Sequence, residues 1–332
     1  MVHELPSEAP EDALRKLKSG DRRLLARCLT LAESRRADHA AWLSELLALG
    51  QGSPVPQYRV AFSGAPGAGK SSLVDVLGEH AIDQGYRLAV LAVDPSSETS
   101  GGSLLADKTR MTRLSADPRS FVRPSPNRTQ LGGVTDALLD QTELCALAGF
   151  DLVFIETVGV GQAEVDARDC SDSFVLLLTP GSGDELQGLK RGITEAADWL
   201  VINKADTDPT GAERVRQAYA AALSLLRPEG ETPIAVVSAQ TGEGIEELWA
   251  PLERRIRSAL ETERIGGKLG ESAGAKQARV FRRLARREIV RRIEARSELQ
   301  AALQRLEREI SAGERTLRAA LLQVARLLDE GP

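Results

Sequence analysis

The chain has 332 residues, 42% hydrophobic and 27% charged, which is ordinary for a globular protein and ample for one large α/β domain with smaller appendages. A net charge of −5 argues against bulk nucleic-acid binding, which favours a basic surface. Cys28, Cys145 and Cys170 are isolated and His3, His39 and His80 are scattered, so neither a disulfide framework nor a zinc or nickel cluster is expected, and the cysteines read as buried free thiols in a reducing compartment.

The opening Met-Val-His-Glu-Leu-Pro-Ser-Glu lacks the basic and apolar regions of a secretory leader, and no apolar run reaches bilayer-spanning length. A cytoplasmic protein without membrane contact is expected. Residues 1–54 read as a helical extension of two or three helices. Leu24, Leu25, Cys28, Leu29, Leu31 and Ala32 stripe one helix, and Trp42, Leu43, Leu46, Leu47 and Leu49 form an apolar face on the next. A Gly- and Pro-rich linker at 50–56 follows.

Residues 55–262 alternate short apolar runs with amphipathic stretches. Strands are expected at 58–63, 87–93, 151–155, 173–178, 198–202 and 233–237. Apolar strands between helices imply an α/β fold with a doubly wound, mostly parallel sheet, whose ligands gather at the strand ends.

After the first strand comes Gly64-Ala-Pro-Gly-Ala-Gly-Lys-Ser71, which fits G-x-x-x-x-G-K-[ST] between a strand and a helix. Gly64, Ala65, Gly67, Ala68 and Gly69 would wrap polyphosphate with backbone N–H groups, continued by Ser72 at the helix start. Lys70 would reach the β and γ phosphates as a catalytic cation, and the Ser71 hydroxyl would hold Mg²⁺. Asp94 ends the second strand, which is read as lying beside the phosphate loop and within reach of the magnesium shell. Asp107 lies on the polar 94–110 loop, which reads as a first switch. Glu156-Thr-Val-Gly159 follows the 151–155 strand, with Glu156 orienting magnesium and Gly159 offering its N–H to the γ phosphate. Residues 160–164 read as a continuing polar loop of a second switch.

Asn203-Lys-Ala-Asp206 follows the 198–202 strand. An aspartate there can accept from the N1–H and the exocyclic amine of guanine, a donor pair that adenine lacks. Asn203 would brace the loop and the Lys204 stem would lie over the base. Ser238 and Ala239 would supply backbone donors near the guanine oxygen, and Gln240 beside them is read as nucleotide-binding. The pair of motifs favours GTP/GDP with Mg²⁺ as ligand. A P-loop kinase and a metal-insertion GTPase of the same class stand as alternatives, though the latter predicts clustered histidines or cysteines.

Residues 263–332 read as a helical arm. One long helix is expected over 275–310, striped by Phe281, Leu284, Ile293, Leu299, Leu303, Leu306 and Ile310. Gly313 would break it before a last helix carrying Leu317, Leu321, Val324 and Leu328. The arginines from 282 to 292 mostly share the solvated side of that helix, and with few aromatics nearby they do not make a nucleic-acid groove.

Together these segments resemble the P-loop GTPases of the MeaB/ArgK/MMAA group, the methylmalonyl-CoA mutase-associated GTPases. The matching text includes Asp94-Pro-Ser-Ser, residues 107–111, Arg123-Pro-Ser-Pro126, Glu156-Thr-Val-Gly-Val-Gly-Gln162, Gly183-Asp-Glu-Leu-Gln-Gly188 and Asn203-Lys-Ala-Asp206. The resemblance implies a homodimer joined by the C-terminal arm and a slow GTPase stimulated by a B12-dependent acyl-CoA mutase. It implies that GTP hydrolysis gates adenosylcobalamin passing from a cobalamin adenosyltransferase to the mutase, and release of damaged cofactor. It further implies a third switch with Asp184, Gln187 and Lys190 reporting nucleotide state to the mutase. The mutase acts on methylmalonyl-CoA or on a related 2-hydroxyisobutyryl-, isobutyryl- or ethylmalonyl-CoA.

Overall fold

The computed structural model describes residues 4–34, 36–50, 55–94, 111–126, 134–157, 162–181, 197–226, 232–264, 281–282, 285, 289, 293, 296–312 and 314–329. The chain divides into two compact units, Met1–Gly270 and Glu271–Pro332.

The first unit opens with three helices, α1 (Pro10–Lys18), α2 (Arg22–Ala32) and α3 (Ala37–Gly50). Their ends follow from local chemistry. Pro10 starts α1, which carries Glu11 and Asp12 in its first turn and Arg15, Lys16 and Lys18 in its last, matching the helix dipole. Asp21 caps α2 by accepting from the backbone N–H groups of Arg23 and Leu24, both at 3.0 Å. The apolar stripe read from the sequence is buried at Leu24, Leu25, Cys28, Leu29 and Leu31, and α2 packs against α6 (Val134–Leu147).

The remaining elements of this unit are β1 (Tyr58–Gly64), α4 (Lys70–Asp83), β2 (Leu88–Asp94), α5 (Thr112–Ala116), β3 (Ser120–Pro126), β4 (Leu152–Thr157), α7 (Gln162–Asp169), β5 (Ser173–Leu178), β6 (Trp199–Ile202), α8 (Pro209–Leu226), β7 (Ile234–Val236) and α9 (Ile245–Arg264). The strands form one sheet in the order β3-β2-β4-β1-β5-β6-β7, and every pairing is parallel. Alternate residues of each central strand enter opposite cores, as the period of two requires. Val60, Phe62, Leu152, Phe154, Val175 and Leu177 face α4 and α9. Ala61, Val153, Ile155, Phe174 and Leu176 join a second core with the buried residues of α1, α2, α6 and α8. The N-terminal helices thus share the core of one sheet face. Polar ties add to this: Arg123 on β3 donates to Ala26 O at 3.2 Å and Thr30 Oγ1 at 2.9 Å, and Gln141 donates to Glu33 Oε1 at 2.8 Å.

Four expectations need correcting. The edge strand β3 was not foreseen, because Pro124 and Pro126 argue against a strand; they are tolerated where a proline needs no ladder partner on its outer side. The second strand is not beside the phosphate-loop strand, since β4 lies between β2 and β1. Residues 160–164 are not all loop, because α7 begins at Gln162. The single helix over 275–310 is interrupted at Arg296, whose φ of −76° and ψ of 111° are extended. There the apolar stripe jumps six residues, from Ile293 to Leu299, which falls between one helical turn and two, so a continuous helix would rotate its apolar face away from its packing partner.

The second unit holds α10 (Ser297–Ser311) and α11 (Leu317–Asp329), which pack on each other and bury Leu299, Leu306 and Ala320. Phe281, Ile289, Leu317, Leu321 and Leu322 are exposed. Among the described residues, no helix is long and apolar enough to cross a membrane.

Candidate functional site

Parallel strands point their carboxyl ends the same way, so the segments after β1, β4, β6 and β7 collect on one edge of the sheet. The loop after β1 runs into α4, with Gly69 at the N-cap in the left-handed region, φ +88°. A Cβ on Gly69 would lie 2.4 Å from Asn203 Nδ2, and one on Gly64 would lie 2.4 Å from Leu177 O. Both glycines are therefore fixed by close approach of neighbouring backbone and side chain.

Asn203 is the hub of the site. It is buried just past β6; its Nδ2 donates to Ala68 O at 2.9 Å, and its Oδ1 accepts from Ala239 N at 3.0 Å. One amide thereby ties the phosphate loop to the segment after β7. Its own backbone N–H donates to Leu178 O at 2.9 Å, and that of Ala205 donates to Val237 O at 3.1 Å. Between these two anchors Lys204 adopts φ +65°, and among the described residues it is the one non-glycine with positive φ. Strain of that kind costs about 1 kcal/mol and persists where the surroundings over-determine the backbone.

Asp206 and Lys204 are solvent-exposed. The Asp206 carboxylate is held by Ser238, whose Oγ donates to Oδ1 at 2.6 Å. Ser238 Oγ in turn accepts from Thr241 N at 3.1 Å. The sequence reading assigns Ser238 a backbone donor near the base; its side-chain hydroxyl, in addition, holds the Asp206 carboxylate. Ala239 and Gln240 continue the same segment, partly buried and exposed respectively.

At the phosphate end, Lys70 opens α4 and is 6% exposed. Its Nζ donates to Gly64 O at 2.8 Å and Ala65 O at 2.9 Å. Burial pushes the Lys70 pKa below the ordinary lysine value, while Glu156 and Glu164 oppose that shift. Glu156 lies inside β4 rather than after it, buried, and its Oε1 accepts from Ser71 Oγ at 2.6 Å. Ser72 is exposed beside it. Ser71 and Glu156, both predicted from sequence, are thus brought into contact. Among the described residues, no three His, Cys, Asp or Glu side chains converge. A hydroxyl and one carboxylate are hard oxygen donors that suit Mg²⁺ when phosphates and water complete its shell.

Asp94 ends β2, and its backbone pairs with that of Pro126; its side chain lies outside the described residues, as do Asp107, Gly159, Asp184, Gln187 and Lys190. Sequence reasoning missed a role for Ser63 and Glu164, whose hydroxyl–carboxylate contact of 2.6 Å links positions 101 residues apart. A cavity of about 390 Å³ between β6, β7, α8 and α9, lined by Trp199, Ile234 and Leu248, holds none of the phosphate or base residues.

Comparison with known proteins gives four findings of different reach. The family described as "Methylmalonyl Co-A mutase-associated GTPase MeaB" matches residues 25–298. A probable GTPase of Mycobacterium tuberculosis is 40% identical over 320 residues, 94% of each chain. The mitochondrial methylmalonic aciduria type A homolog of Mus musculus is 48% identical over 248 residues, 70% of this chain and 60% of that protein. Among solved structures, that of an LAO/AO transport system kinase superposes with a TM-score of 0.76 at 28% identity, covering 98% of this chain and 99% of the other.

Proposed function

The chain belongs to the family of methylmalonyl-CoA mutase-associated GTPases, and from that premise we propose that its GTP hydrolysis gates the loading, protection and repair of a B12-dependent acyl-CoA mutase. The chain is a GTPase. The single observation that carries the reading of its site is the Asn203 amide, which joins the phosphate loop to the base-reading segments.

In this reading Asp206, aimed by Ser238, takes the two donors of the guanine edge, and the stem of Lys204 covers the base. The backbone of residues 64–72 cradles the phosphates, and Lys70 exchanges its carbonyl partners for phosphate oxygens as charge builds there. Ser71 and Glu156, with Asp94 and Asp107, would hold Mg²⁺, which neutralises charge between the β and γ phosphates when bound. Gly159 would offer its N–H to the γ phosphate. Asp184, Gln187 and Lys190 would carry the nucleotide state to the mutase.

We assign three parts to these tasks: an N-terminal helical extension (1–54), a G domain (55–262) and a C-terminal dimerisation arm (263–332). The exposed Phe281, Ile289, Leu317 and Leu321 support an arm that pairs with a second copy. A cobalamin adenosyltransferase is the proposed donor of the cofactor, and the cytoplasm the proposed compartment.

The direct test is complex formation. Candidate mutases are mixed with the protein in the presence of GDP or a non-hydrolysable GTP analogue, and the complex is measured by light scattering. The expected result is a complex with one B12-dependent mutase whose affinity differs at least about fivefold between the two nucleotides, the size of a typical coupling energy. Equal affinity in both states, or no complex with any such mutase, would contradict the proposal.

A further inference from the structure

The Glu164 carboxylate has no part in the reading above, yet it is 1% exposed and lies next to the strand that carries the phosphate loop. It accepts a hydrogen bond from Ser63 Oγ at 2.6 Å. Ser63 is fully buried and immediately precedes Gly64. Glu164 stands in the first turn of α7, a helix that packs on β1 and β4. Those two strands deliver Lys70 and Glu156 to the phosphate end of the site.

Burying a carboxylate is costly unless donors and a neighbouring cation meet it. Ser63 is such a donor, and Lys70 feels the charge of Glu164 as it feels that of Glu156. The lysine thus donates to two loop carbonyls, Gly64 O and Ala65 O, within the field of two buried carboxylates, Glu156 and Glu164. Nucleotide phosphates must compete with these groups for it. A competitor of this kind weakens ground-state binding slightly, while the firm seat of β1 and α7 holds the loop in the geometry hydrolysis needs.

We propose that Glu164 is a positioning residue for GTP hydrolysis: through Ser63 it fastens α7 to the strand beneath the phosphate loop, and its charge acts on the same lysine as that of Glu156. The proposal rests on the reading that Lys70 serves the phosphates. It separates Glu164 from a residue that only supports the fold, because removing its charge also removes a competitor for the lysine.

Steady-state GTP hydrolysis and GDP affinity are measured for Glu164→Gln, Ser63→Ala and the double variant, with thermal melting in GDP as the folding check. Glu164→Gln is expected to lower kcat by about tenfold or more, the range for one charged hydrogen bond, with KM unchanged or lower. Ser63→Ala is expected to lower kcat by a smaller factor, and the double variant to be no worse than Glu164→Gln alone, as for residues acting through one contact. Unchanged kcat in folded Glu164→Gln would overturn the proposal, as would equal losses in kcat and GDP affinity that follow a lowered melting temperature. Should Glu164→Gln not fold, Ser63→Ala decides, and wild-type kcat in that variant overturns the proposal. Wild-type turnover in Lys70→Ala would instead overturn the phosphate-loop reading beneath it.

Discussion

Asp206 shows how much a residue's role depends on what holds it. An exposed carboxylate on a loop would sample many rotamers, but the 2.6 Å bond from Ser238 fixes Oδ1 and leaves Oδ2 and the remaining lone pair of Oδ1 for the base. Asp206→Asn replaces an acceptor by a donor that faces the guanine N1–H. The variant is expected to lose GDP affinity by roughly a hundredfold or more, the worth of two charge-assisted bonds, and to gain affinity for xanthosine diphosphate. Calorimetric titration with both nucleotides checks it, and an unchanged preference for GDP would remove Asp206 from the base site. The tetrapeptide that contains it was legible in the sequence because its parts are neighbours along the chain. The pairing of Ser63 with Glu164 was not legible, because two positions 101 residues apart meet only through the packing of α7 on β1.

Among the elements, the hydrophobic runs that become β1, β4 and β5 were readable because both faces are covered, which leaves continuous apolar stretches. β3 escaped notice for the opposite reason: as an edge strand it carries two prolines and little apolar pattern. The helix stripe containing Cys28 was likewise visible, and its packing against the helix that carries Cys145 has a measurable consequence. Burial pushes both thiols from 9.0 up to about 12. Each group thus binds its proton more tightly folded than unfolded. Its contribution to stability is full below pH 9.0 and is lost as pH rises toward about 12. Two outcomes are expected: denaturant midpoints that fall over that alkaline range less steeply in a Cys28→Ala, Cys145→Ala double variant, and labelling of these thiols at pH 8 only at the rate of unfolding. Rapid labelling of either in the native protein would show that the α2–α6 contact opens on its own.

For the whole molecule, alternation of strands and helices predicted the doubly wound sheet, and the strand order came only from the structure. Placing β4 between β2 and β1 puts Glu156, not Asp94, on the strand next to the phosphate loop. The separate unit Glu271–Pro332 exposes large apolar side chains, which the proposed dimer would cover with a second copy. Truncation after Gly266 is therefore expected to give monomers by light scattering, and a surviving dimer would place the interface elsewhere. The central claim, that this nucleotide site is a timing device read by a partner, is tested most directly by GTP turnover measured alone and with a B12-dependent acyl-CoA mutase at saturating concentration. The account predicts slow turnover alone and at least about tenfold faster turnover with one such mutase, a stimulation lost in Lys70→Ala. Turnover that no such mutase changes would contradict it.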